Sequence, residues 1–141
     1  MEANGKERGN SDVNIPSFQN IQIPVRIFIA DSLGPVESIV KYLKENLNLR
    51  YNQISHILNR DQRSIWNTYN KACKKNTDSF ELLPDGLTIP LNLFVDRNFG
   101  ALEVLCEYLK DNYDFSYSRM GSIINRNERT VWTAYNRAKN K

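Results

Sequence analysis

The chain has 141 residues, 40% of them apolar and 25% charged, with a formal net charge of +3. This balance is that of a globular protein rather than a disordered one, and no apolar run reaches the roughly 18 residues that a membrane span needs. One histidine and two cysteines leave no zinc set and no disulfide framework, so neither a metal nor another cofactor is expected.

Residues 1–19 are rich in Asn, Ser, Gly and charge and read as a disordered leader. They contain no apolar stretch of the kind a secretory signal carries. Cys73 and Cys106 do not occupy equivalent positions in the repeat described next. Reduced thiols and a cytoplasmic location are the expectation.

From Ile23-Pro24 onward the chain repeats itself at an offset of 66 residues, resuming at Ile89-Pro90. Between Pro24–Lys75 and Pro90–Lys141, 18 of 52 positions are identical without a gap. The chain therefore divides into a first unit at 20–75, a linker at 76–86 and a second unit at 87–141. A unit of about 50 residues buries too little surface to be robust alone. The two are expected to pack together or to be braced by their flanks.

Each unit opens on a short alternating segment, IQIPVRIF or LTIPLNLF, as a half-buried strand does. Proline confines such a strand to an edge. The two segments either pair with each other, which is favoured, or lie as arms on their own helices. A first helix follows. Val36, Ile39, Val40 and Leu43 keep helical spacing, as do Leu102, Leu105, Cys106 and Leu109. Pro35 suits its first position and Glu37 its first turn. Tyr42 and Tyr108 flank this stripe.

The second helix begins near Tyr51 and Tyr117. Ser116 is a good N-cap, whereas Arg50 caps poorly. Its apolar positions are Ile54, Ile57, Leu58 and Met120, Ile123, Ile124, with a small residue, Ser55 or Gly121, that lets another helix approach. Asn59 and Asn125 end it, since Asn tolerates a left-handed backbone. In the third helix Ile65, Tyr69, Ala72 and Val131, Tyr135, Ala138 form the buried line. In the linker, Pro84-Asp85-Gly86 signals a turn, and Phe80, Leu82 and Leu83 are expected to pin it to a unit.

The positive charge lies in the repeats. Residues 24–75 carry nine Lys/Arg against four Asp/Glu, or +5, and residues 90–141 carry eight against six, or +2. It gathers toward the C-terminal part of each unit, which is either a solvated helix face or a phosphate-facing one.

The unit resembles the helix-turn-helix. It is most similar to the form found in region 4 of bacterial sigma factors and related regulators. The residues that carry the likeness are Tyr117, Met120-Gly121, Ile123-Ile124, Asn125, Thr130-Val131 and Arg137-Ala138. In the first copy they are Tyr51, Ile54-Ser55, Ile57-Leu58, Asn59, Ser64-Ile65 and Lys71-Ala72. The likeness covers about 25 residues of each copy, or roughly 40 with the first helix. Trp66 and Trp132 stand where that family usually has Lys or Arg, and the small residue is Ser or Gly rather than Ala. The implied fold class is mainly α: two tandem three-helix helix-turn-helix units, each preceded by a short extended segment.

The resemblance implies duplex DNA as partner, with the third helix of each unit in the major groove. Arg63 and Arg129 are then base-contacting residues, together with Gln62, Glu128, Asn67 and Thr133. Arg60, Lys71, Lys74, Lys75, Arg126, Arg137 and Lys139 are phosphate contacts. The competing assignment pairs Arg63 with Glu37 and Arg129 with Glu103. Trp66 and Trp132 are assigned to packing ahead of DNA, and a partner surface is their other reading. Asn70 and Asn136 either contact DNA or cap a local turn.

The implied activity is transcriptional regulation. The alternative is an adaptor that keeps the fold and docks a protein through the third helix, the less basic second unit being the candidate docking half. A transcription protein or a second copy are the further partners considered. RNA ranks below both, for want of a sheet with exposed aromatics. An enzyme is not expected, because no Gly-rich phosphate loop or nucleophile–base arrangement occurs and His56 becomes Ser122 in the second copy. No small-molecule substrate is indicated.

Overall fold

A computed structural model describes residues 20–30, 32–82, 86–96 and 98–141. The expected leader, and Leu83, Pro84 and Asp85 of the linker, lie outside the described residues. The chain is mainly helical, with six α-helices and one two-stranded ribbon among the described residues. None of these helices is long and apolar enough to cross a membrane.

Strand β1 (Gln22–Pro24) opens the first repeat and β2 (Thr88–Pro90) the second. They pair antiparallel, with Gln22 opposite Pro90, Ile23 opposite Ile89 and Pro24 opposite Thr88. Two flanking bonds extend the ribbon. Val25 N–H donates to the Leu87 carbonyl and Leu91 N–H to the Ile21 carbonyl, both at 2.9 Å.

The extended segments are shorter than their alternation predicts. After Pro24 and Pro90 the chain winds into 3-10 turns, Val25–Ile29 and Leu91–Phe94. Residues three apart eclipse in such a turn, so Val25 and Phe28 both face inward, as do Leu91 and Phe94. A continued strand would point each pair to opposite faces.

Helix α1 (Pro35–Lys41) starts at the expected proline, and α4 (Ala101–Tyr113) is its counterpart. The Glu37 carboxylate accepts the Gly34 N–H at 2.9 Å and Glu103 accepts the Gly100 N–H at 3.0 Å. Each satisfies a donor that the helix start would otherwise leave orphaned. The α1 periodicity predicts a regular helix to its end. Instead it passes into a π-helical turn over Tyr42–Asn46. That turn carries Glu45, which receives Lys41 Nζ at 2.8 and 3.0 Å and Tyr69 Oη at 2.7 Å.

Helices α2 (Tyr51–Leu58) and α5 (Tyr117–Ile124) follow, then α3 (Gln62–Lys75) and α6 (Glu128–Lys139) close the repeats. Ser116 caps α5 through the Arg119 N–H at 3.1 Å. Arg50 gives α2 no side-chain cap, and Gln53 accepts the Arg50 N–H at 2.9 Å instead. The small residue expected to admit a neighbouring helix serves the following turn. A Cβ at Gly121 would lie 2.5 Å from the Arg126 carbonyl oxygen. At the equivalent place the Ser55 hydroxyl donates to the Arg60 carbonyl.

Within each repeat the first and second helices pack on the third. One apolar cluster runs through both repeats, with Ile23, Leu43, Ile54 and Ile65 joined to Ile89, Leu109, Met120 and Val131. Phe28 meets Phe94 across the boundary, ring centroids 6.0 Å apart. Sharing a core relieves the shortage of buried surface that a unit of this size has alone. The linker is held to the first repeat by Phe80, whose carbonyl accepts Asn46 Nδ2 at 3.2 Å and whose ring packs on the core. Leu82 is exposed, contrary to expectation.

Candidate nucleic-acid interface

The turn before each third helix is built the same way twice. Asn59 (φ 54°) and Asn125 (φ 55°) take the left-handed backbone that ends the second helix. Two residues later the chain re-enters a helix, and an N-cap holds it there. Asp61 accepts the Ser64 N–H at 3.2 Å and Asn127 accepts the Thr130 N–H at 2.8 Å. These caps are absent from the sequence reading above. The spacing Asp-x-x-Ser and Asn-x-x-Thr was the signal for them.

Gln62 and Arg63, and Glu128 and Arg129, fill the first turns of α3 and α6 and are exposed. Asn67 is exposed and Thr133 half-buried on the next turn. Lys71, Lys74 and Arg137 are exposed beyond them. The competing pairing of the arginines does not form. Glu37 is held by Lys75 Nζ at 2.9 and 3.1 Å, and Glu103 by Lys141 Nζ at 2.7 Å. No carboxylate among the described residues lies within ion-pair distance of Arg63 or Arg129.

A repeated set of side-chain bonds holds the third helix to the first. Tyr69 Oη donates to Glu45 and Tyr135 Oη to Asp111, at 2.7 and 2.9 Å. The Tyr69 ring lies 6.1 Å from that of Tyr51, and Tyr135 lies 6.0 Å from Tyr117. Lys44 and Lys110 sit over Tyr51 and Tyr117. Asn70 and Asn136 each turn back to a tryptophan carbonyl, at 2.8 Å in both repeats. Each bonds back onto the interior of its own helix.

The copies also differ in a compensated way. Where the first has Lys41 and Cys73, the second has Glu107 and Lys139. The acid between them keeps a lysine in both cases. Lys41 reaches Glu45 along α1, and Lys139 reaches Asp111 across from α6 at 2.6 Å.

These bonds set the charge states. Burial raises the Glu37 and Glu45 carboxyls, but donors outweigh it and both are held below the usual carboxylate range. The donors are Lys75 and the Gly34 N–H at Glu37, and Lys41 and Tyr69 at Glu45. The Lys141 hydrogen bond lowers Glu103, and the Lys139 bond lowers Asp111 and raises Lys139. Tyr69 is raised by its bond to Cys73, by burial and by Glu45.

Three of the expected phosphate contacts are placed otherwise. Arg126 Nη1 donates to the Phe28 and Ile124 carbonyls at 2.9 and 2.8 Å, and Nη2 to the Leu33 carbonyl at 3.4 Å. It is a clamp between the repeats, because only a guanidinium presents several donors in a fixed fork. Lys75 and Lys139 are bound to Glu37 and Asp111. Arg60 is half-buried, so the exposed cations left are Lys71, Lys74 and Arg137.

The two tryptophans are more exposed than residues assigned to packing are expected to be. Trp66 is 51% and Trp132 52% exposed. Each follows the buried Ile65 or Val131 by one residue, a rotation of about 100° around the helix, which carries the ring off the core. Asn67, next in line, takes the same outward face.

Compared with known proteins, the chain matches no family model, no curated protein and no solved structure.

Proposed function

We propose that this protein binds duplex DNA through two tandem helix-turn-helix units, with α3 and α6 entering the major groove, and that it regulates transcription. The observation that supports this best is the state of Arg63 and Arg129. They are equivalent residues, exposed on the first helical turn after the tight turn, and paired with no carboxylate among the described residues, while Glu37 and Glu103 are taken by lysines. A guanidinium so placed is ready to bind guanine O6 and N7 in a bidentate manner. Asn67 and Thr133, one helical turn on, are placed to read a second base. Lys71, Lys74 and Arg137 supply phosphate contacts that fix register.

The test is selection from a pool of random duplexes at two salt concentrations, wild type against Arg63→Ala plus Arg129→Ala. A selected sequence, affinity that falls steeply with salt and loss of selectivity in the folded double variant are expected. Binding to no duplex at low salt sinks the reading.

A second reading has one observation in its favour. Two half-exposed tryptophans on the same helices are the residue type most enriched at protein hot spots. In that case α3 or α6 docks a protein partner, and Trp66→Ala or Trp132→Ala, not the arginine variants, abolishes binding.

A further inference from the structure

A direct repeat in sequence does not fix how its two units are oriented in space. The contacts at the repeat boundary have a symmetry of their own. Ile23 lies opposite Ile89, its own counterpart at the 66-residue offset. Phe28 packs on Phe94, again its counterpart. Thr88 Oγ1 donates to Gln22 Oε1 at 3.1 Å, and these too are counterparts. The two flanking ribbon bonds, Val25 to Leu87 and Leu91 to Ile21, exchange under the same offset. A residue meets its own equivalent only beside a two-fold axis; a head-to-tail contact joins different patches of surface. The ribbon therefore carries a local dyad within one chain.

The first helices continue the relationship, since α1 touches α4. The candidate DNA face adjoins that contact. Pro35 and Val36 of α1 border a cleft of about 490 Å³ with Arg129, Thr133 and Arg137 of α6. The dyad is approximate: Arg126 clamps the Phe28 and Leu33 carbonyls, while Arg60 makes no such bond among the described residues.

From this we infer that the DNA target is an imperfect inverted repeat, with one half-site for each unit of a single chain. The inference rests on the proposed DNA binding. Arg63 and Arg129 read the same base on opposite strands, at mirror positions of the site. Gln62 against Glu128, and Asn67 against Thr133, read different bases, so the half-sites diverge there. Two recognition helices related by a dyad engage half-sites about one helical turn apart. The shared core fixes that spacing, which a flexible tether would leave free.

The test uses the full chain and the sequence enriched from a random duplex pool. Its half-site is placed in four synthetic duplexes: an inverted pair, a direct pair, a single copy, and an inverted pair with about five extra base pairs, a half turn, between the halves. The expected result is at least about tenfold tighter binding to the first duplex than to the other three. Arg63→Ala and Arg129→Ala should each relax one position, on opposite halves. Arg63→Lys and Arg129→Lys, which keep the charge but lose the fork, should do the same. Thermal melts followed by circular dichroism show that each variant is folded. A direct pair or a single copy bound as well as the inverted pair overturns the inverted repeat and leaves DNA binding standing. Enrichment of no duplex at either salt overturns both.

Discussion

Ile23 faces Ile89 across the ribbon, and the two are the same residue of the repeat. Both are fully buried. The duplication thus closed on itself through a self-complementary edge, as two copies of a homodimer do, and the exposed faces of α3 and α6 became a related pair.

Arg63→Ala or Arg129→Ala should each weaken binding to the preferred duplex by about 1–3 kcal/mol and relax selectivity at one base pair. Neither arginine is paired with a carboxylate among the described residues, so the melting temperature should stay close to wild type. Competition binding with single-base variants of the site measures the first effect and calorimetry the second. A large fall in stability would instead make these residues structural.

Gly121→Ala should destabilise the fold by about 1–3 kcal/mol, because the added methyl meets a backbone oxygen 2.5 Å away that no rotamer change can remove. Ser55→Ala should cost only about 1 kcal/mol, the loss of one hydrogen bond to the Arg60 carbonyl. Urea unfolding of both variants gives the comparison. Equal midpoints would mean that the two turns are equally roomy.

Arg126→Ala and Arg60→Ala alter equivalent residues and should behave unequally. The former leaves the Phe28, Leu33 and Ile124 carbonyls without a charged donor, a loss of about 1.5–3 kcal/mol. The latter breaks no side-chain hydrogen bond among the described residues and removes only the packing of a half-buried stem, so it should cost less than the former. Parallel urea curves settle the point, and a reversed order would refute the clamp.

Stability should fall in acid. Glu37, Glu45, Glu103 and Asp111 all lie below their ordinary values in the folded chain. A lowered folded value means that the stabilisation is fully present above the unfolded value, about 4, and is lost as pH drops through the folded one. The urea midpoint should therefore hold at neutral pH and decline below about pH 4. Glu37→Gln plus Glu103→Gln should shallow that decline. An unchanged acid limb would mean that the lysine pairs contribute nothing.

The two thiols should differ in reactivity. Cys106 is fully buried and burial pushes its thiol up to about 12, whereas Cys73 is half-buried near Glu45. Alkylation of the native protein should label Cys73 first and Cys106 only after unfolding, as read by mass spectrometry. Simultaneous labelling would show that the core opens readily.

Much of this molecule was legible in the chain alone. The 66-residue offset marked the repeat, and the spacing of Ile39, Leu43, Ile54 and Ile65 marked the helices and their buried faces. Asn59 and Asn125 marked the left-handed turns, for Asn tolerates that backbone better than most residues. Such features are local, set by neighbours within a turn or two. The pairing of the two proline-bearing segments was legible as the favoured of two arrangements, and Ile23 does pair with Ile89. The partners of Glu37 and Arg126 were not legible, because Lys75 and Phe28 lie 38 and 98 positions away from them. Arg63 and Lys75 are interchangeable cations in a sequence, and only packing of α3 on α1 decides which meets the carboxylate. Trp66 was assigned to packing beside the buried line of α3, but Ile65 and Ala72 fill that line and the tryptophan is left half exposed. The dyad is the furthest from the sequence, since a linear repeat is silent about direction and only the antiparallel pairing of Ile23 with Ile89 reverses one unit against the other.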